Sequence, residues 1–164
     1  MSKSKIIVVC RKGLNVSMED INSDDVEQIV HEDLHYIDYI TTALSVNEIK
    51  DDLTSYGDVK DENGKTFFNV STKNATDIVD ETLAKIREQL ATITDTTELK
   101  DKYQALRRMY ILIKFNTMRS DDTIVCEVFE DDVPQVYYFG DFIQYAVSFN
   151  ETEYEVLGGY FYKG

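Results

Sequence analysis

Apolar and polar positions along this chain fall into two rhythms, and the change from one to the other divides it into segments. Lys5 to Arg11 (KIIVVCR) is an unbroken, β-branched run of strand length closed by Gly13, which predicts a buried strand. Ser23 then offers an N-cap followed by Asp24 and Asp25, where a helix dipole favours carboxylates. Val26, Val30, Ile37, Ile40 and Leu44 recur on one helical face, predicting an amphipathic helix to about Leu44. The quartet Ser45-Val-Asn-Glu48 has the form of a capping box, and Val46, Ile49, Leu53 and Tyr56 extend a shorter helix to Gly57.

Asn63-Gly64 separates two short segments of strand character, and this dipeptide tolerates the positive φ angles of a type I′ turn, so a small β-hairpin is expected. Val79, Leu83, Ile86, Leu90 and Ile93 step by four and three residues. Leu99, Tyr103, Leu106, Tyr110 and Ile113 do the same after Asp95-Thr-Thr-Glu98. These stripes predict an antiparallel helical hairpin in which each packs on the other, because neither runs for the three to four heptads expected of a coiled-coil seam. Beyond Ser120 the segments shorten to Thr123–Phe129, Gln135–Phe139, Phe142–Phe149 and Tyr154–Tyr162, with Pro134, Gly140, Asn150 and Gly158/Gly159 among the breakers; they predict a C-terminal antiparallel β meander. The fold class expected is therefore α+β, as a single acidic domain over residues 1–164: an N-terminal strand, amphipathic helices with a helical hairpin, a small β-hairpin and the meander.

Composition narrows the chemistry. The formal net charge of −14 repels phosphate backbones and anionic lipid surfaces, so direct binding to nucleic acid or membrane is not expected. No segment has the roughly 18 consecutive apolar residues that span a bilayer, and the short apolar run after Lys5 is too brief for a secretory leader. Cys10 and Cys126 lie far apart, each inside an apolar run, and read as buried free thiols of a cytoplasmic protein. No Gly-rich phosphate loop, nucleophile elbow or paired Cys/His motif is present, and no cofactor is implied.

The only two histidines stand in His31-Glu-Asp-Leu-His35. This string resembles the zinc-binding H-E-x-x-H of the zincin metallopeptidases, which would make His31 and His35 metal ligands and Glu32 the base that activates a bound water. At 100° per residue, however, the two histidines fall about 140° and 180° from the centre of the apolar stripe on their helix, on its solvated side. A zinc hydrolase is thus an alternative reading, and a hydrated helix face the leading one.

Charge distribution supplies the other signal. Glu19 to Asp33 holds seven carboxylates and no Lys or Arg, and Asp121 to Gly164 holds ten against the single Lys163, together with 11 of the chain's 19 aromatics. Such density is self-repelling unless solvated or matched by a cationic surface. The leading reading is a small acidic interaction protein that binds and modulates or inhibits a basic protein partner, of which a nucleic-acid-binding protein, whose phosphate contacts the carboxylates would mimic, is one kind. Its composition is similar to that of phage-encoded inhibitors. Glu19, Asp20, Asp24, Asp25, Asp131, Asp132, Glu151 and Glu153 are the candidate contacts, with Tyr138 as an aromatic anchor. Self-association into a structural assembly is the second alternative.

Overall fold

In the computed structural model the described residues are 4–34, 39–54, 57–70, 72–117, 123–148 and 153–163. The chain runs β1 (Ser4–Arg11), α1 (Ser23–Leu34), β2 (Tyr39–Leu44), α2 (Lys50–Thr54), β3 (Gly57–Glu62), β4 (Lys65–Val70), α3 (Thr72–Ala91), α4 (Leu99–Thr117), β5 (Thr123–Val128), β6 (Gln135–Tyr138), α5 (Phe139–Ser148) and β7 (Glu153–Lys163). The fold is α+β: among the described residues there are five helices and one mixed seven-stranded sheet in the order β3-β4-β7-β1-β5-β6, with β2 also paired to β7.

β1 sits near the centre, antiparallel to β7 on one side and parallel to β5 on the other. Its two faces are both covered, which is why five consecutive residues, Ile6 to Cys10, are all buried and the sequence shows no alternation. Ile6, Val8 and Cys10 point with Ile124, Cys126 and Val128 toward Val26 and Val30 of α1. Ile7 and Val9 point with Val125, Phe68 and Tyr154 toward Leu53 of α2 and toward Phe139, Phe142, Ile143 and Ala146 of α5. The sheet is therefore sandwiched between α1 and the α2/α5 pair.

β7 is long enough to serve two partners on one edge. Glu153–Val156 pairs with β4, and Gly159–Lys163 pairs with β2. Between these halves the register against β1 slips by one residue: Val8 faces Gly158 and Val9 faces Val156, leaving Leu157 as the bulge. Gly158 takes φ +153 there, and a Cβ on Gly159 would overlap the Ile6 carbonyl oxygen, so both glycines are needed for close strand approach. The expected β-hairpin is β3/β4, with Asn63 at φ 53 and Gly64 at φ 76, the pair of positive angles a type I′ turn requires.

Three expectations are corrected. The first amphipathic helix is described over Ser23–Leu34 and does not run on to Leu44, because Tyr39–Leu44 is strand; Ile37 lies outside the described residues. Tyr39-Ile-Thr-Thr is a β-favouring run, and the free half of the β7 edge offers it a ladder that outweighs the weak helical spacing of Ile40 and Leu44. Secondly, β5, β6 and β7 are the expected C-terminal antiparallel strands, but the intervening Phe142–Phe149 segment is helical through Ser148. Its buried residues Phe139, Phe142, Ile143 and Ala146 follow a helical stripe, not alternation. Thirdly, Asn22 rather than Ser23 caps α1, its side chain accepting from the Asp24 amide at 3.0 Å. The Ser45–Glu48 pair does form a reciprocal contact, with the Ser45 amide donating to Glu48 at 2.8 Å, ahead of a 3-10 turn that leads into α2.

α3 and α4 form the expected helical hairpin, with α3 also touching α5. Their apolar stripes are only partly covered, with Ile86 and Ile93 half-buried. Val79, Leu83 and Leu90 on α3 and Leu99, Tyr103, Leu106, Tyr110 and Ile113 on α4 are exposed, while α4 buries Ala105 and Met109 and α3 buries Thr82. Most of the larger apolar side chains of the two helices are left at the surface. No helix among the described residues is long and apolar enough to cross a membrane.

Candidate interaction site

Parallel pairing of β1 and β5 sends both strands out of the sheet at the same end, and the loops that follow them meet there. After Arg11 the chain turns at Gly13, whose φ is +98, and passes through a 3-10 turn at Met18–Asp20 before α1 begins. Asp20 is held in this loop by the Ser17 amide at 3.0 Å and the Ser17 hydroxyl at 3.1 Å. After Val128 the second loop carries Glu130, Asp131 and Asp132. The Asn15 amide donates to Glu130 at 2.9 Å, stitching the two loops together, and Asp132 accepts from the Val133 amide at 2.8 Å.

Between the loops lies an open cleft of about 790 Å³. Asp20 and Asp25 line one wall, Glu130, Asp131 and Asp132 the other, and Ile21, Val26, Val128 and Phe129 contribute apolar surface. Carboxylates more than a hundred residues apart in sequence thus surround one concavity. Ionised carboxylates accept hydrogen bonds and donate none, so the cleft suits a guanidinium or ammonium group whose alkyl stem lies along the apolar lining. The partial positive charge at the N-terminus of α1 offsets the field only in part.

A second cleft of about 530 Å³, between the β1–α1 loop and the β3/β4 hairpin, differs in its charges. Lys50 pairs with Asp61 at 2.6 Å and Lys65 with the nearly buried Glu155 at 3.3 Å. Hydrogen bonds from Lys50 and from the Thr66 hydroxyl hold the Asp61 carboxyl below its usual range. Its charges are matched internally, which leaves less for a ligand to satisfy.

Not all the sequence candidates converge. Asp20, Asp25, Asp131 and Asp132 line the acidic cleft; Glu19 and Asp24 are exposed nearby but do not. Glu153 pairs with Lys12 at 3.3 Å, and Glu151 lies outside the described residues. Tyr138 is half-buried opposite Ile124, three residue pairs along the ladder from Glu127 and so about 10 Å from the cleft end of β5. His31 and Glu32 are exposed on α1, with Glu32 accepting from Gln28 at 2.8 Å, and His35 lies outside the described residues. Among the described residues no three His, Cys, Asp or Glu side chains gather into a metal-holding group. Glu130 was not among the candidates, although it stands in the same acidic run as Asp131.

Sequence reasoning also missed an ionic pair inside the fold. Glu127 is fully buried on β5 and accepts from Arg11 Nε at 3.2 Å, while Arg11 donates a further bond to the Tyr145 hydroxyl at 3.0 Å and lies over the Phe129 ring. Tyr145 stacks on Tyr137, whose hydroxyl is pushed up to about 12 by burial and by the Glu127 charge. Only the cross-strand pairing of Val9 with Glu127 brings these groups to the α5 side of the sheet. The chain matches no protein-family description, no curated protein and no solved structure.

Proposed function

We propose that this is a small acidic interaction protein that binds a basic protein partner, with the cleft at the ends of β1 and β5 as its seat. The observation that carries this reading is the meeting of Asp20 and Asp25 with Glu130, Asp131 and Asp132 around one concavity. Arg and Lys side chains that a nucleic-acid-binding partner uses against phosphates are the chemistry this cleft accepts, and the occupied partner would be inhibited or modulated. The chain's net charge of −14 steers such a partner inward and keeps nucleic acid itself away. Free, buried Cys10 and Cys126 fit a reducing, cytoplasmic setting.

The test uses an arginine-rich peptide as probe and follows its association with the full chain at low and high salt. Replacing Asp25, Asp131 and Asp132 together by Asn is expected to weaken binding by about tenfold or more, chiefly through the on-rate, and to flatten the salt dependence. Neutralising three exposed carboxylates elsewhere, Asp58, Glu62 and Asp95, is the control and should cost far less. Equal losses from both sets would reduce the effect to net charge and sink the cleft assignment.

A further inference from the structure

We infer that the exposed apolar face of the α3/α4 hairpin is a dimerisation surface whose occupant is a second copy of this chain. The observation is independent of the acidic cleft, whose lining includes no residue of either helix. On α3, Val79, Leu83 and Leu90 are exposed; on α4, Leu99, Tyr103, Leu106 and Tyr110 are exposed, with Leu99 at 71% and Tyr103 at 70% of full accessibility. The α4 row steps by four, three and four, and the α3 row does so once the half-buried Ile86 is counted, the spacing that seats knobs in the holes of a facing helix.

The rows form one surface. At 100° per residue the exposed row of α3 lies about 80° around from its buried Thr82, and that of α4 about 100° around, in the same sense, from its buried Ala105 and Met109. With Thr82 on one helix and Ala105 and Met109 on the other taken as the sides turned toward the neighbouring helix, equal rotations on antiparallel helices bring both rows to the same side of the hairpin. The accessible area still carried by these side chains is on the order of 800 Å² per chain, which is what one partner contributes to a stable interface of standard size. Single exposed hydrophobes are common on protein surfaces, but a contiguous apolar face of this size marks an interaction site.

Charge selects a copy and its orientation. The outer border of the α4 row carries Lys100 and Arg107, both exposed, in a chain that is otherwise strongly acidic. The outer side of α3 carries Asp77, Asp80, Glu81 and Glu88 against the cation Arg87, all exposed, so its balance is acidic. A two-fold axis parallel to the helices lays α3 of one copy over α4 of the other and closes an antiparallel four-helix bundle, with Arg107 of one copy bracketed by Asp80 and Glu88 of the other. An axis across the helices would instead lay α4 on α4 and bring the Lys100 and Arg107 rows together, which repel. A shallow hollow lined by Leu99, Lys100, Tyr103, Gln104 and Arg107 lies at the outer border of this face.

Sedimentation equilibrium of the full chain over a concentration series tests this. A mass twice the 18.9 kDa of one chain is expected, and Tyr103→Glu or Leu106→Glu should each raise the dimer dissociation constant by about 100-fold or more, with the helical circular dichroism of the monomer retained. Arg107→Glu should weaken the dimer, and Asp80→Arg added to it should restore it. A wild-type chain that stays at single-chain mass, or a dimer indifferent to Tyr103→Glu and Leu106→Glu, overturns the inference. Failure of the charge swap to restore association overturns the pairing of α3 with α4.

Discussion

The sheet and the helical hairpin were written in the same apolar alphabet but use it in opposite ways. In the sheet, Ile6 to Cys10 disappear completely because α1 covers one face and α2 with α5 covers the other. In the hairpin much of an apolar stripe remains in water, and the buried positions are Thr82, Ala105 and Met109 instead. Periodicity reports that a face is apolar; it does not report which neighbour covers it. A buried face contributes to the stability of one chain, and an exposed one contributes only when something else arrives.

The comparison is broken most sharply by truncating an aromatic on each side of it. Phe142, 1% exposed on α5 against Tyr154 at a ring distance of 4.8 Å, should cost about 3–5 kcal/mol of unfolding free energy as Phe142→Ala, read from urea denaturation. A loss under about 1 kcal/mol would mean that the α5 layer contributes little to the core.

A smaller effect separates the layers by pH. Burial pushes the Cys10 thiol from 9.0 to about 11 and the Cys126 thiol to about 12. Above pH 9 the unfolded chain releases these protons while the folded chain keeps them, so stability should fall as pH rises from 9 toward 11. Cys10→Ala with Cys126→Ala should flatten that decline in urea titrations at pH 8 and 10.5, and an unchanged slope would assign it to other groups. Tyr137, raised for the same reason, adds a decline of the same sign that the double variant retains.

The smallest effect belongs to the hairpin. Tyr103→Ala, at a position 70% exposed, should change monomer stability by less than about 0.5 kcal/mol when measured at dilution, while weakening self-association at higher concentration. A large loss in the dilute monomer would show that the ring packs within its own chain, and the contrast with Phe142 would vanish.

Several features were legible because they are local. The β1 run, the Asn63-Gly64 turn, the Ser45–Glu48 contact and the bodies of α3 and α4 depend on residues within a few positions of one another. Charge clustering was legible too, so Asp20, Asp25, Asp131 and Asp132 were singled out from composition alone. That they border one cleft was not, because it depends on β5 pairing parallel to β1 across more than a hundred residues.

What the sequence determined by itself is an acidic α+β chain with a buried first strand, a tight hairpin and two amphipathic helices, for these follow from backbone preferences and hydrophobic spacing at short range. Tertiary structure decided the rest. Whether Tyr39–Leu44 continues a helix or joins a sheet was settled by the open half of the β7 edge, and Phe142–Ser148 became a helix that lays Phe142, Ile143 and Ala146 on the sheet. The direction in which the α3 and α4 stripes face was set by which side of each helix its neighbour occupies. In each case two local conformations or orientations had similar intrinsic free energies, and burial against a distant segment made the difference.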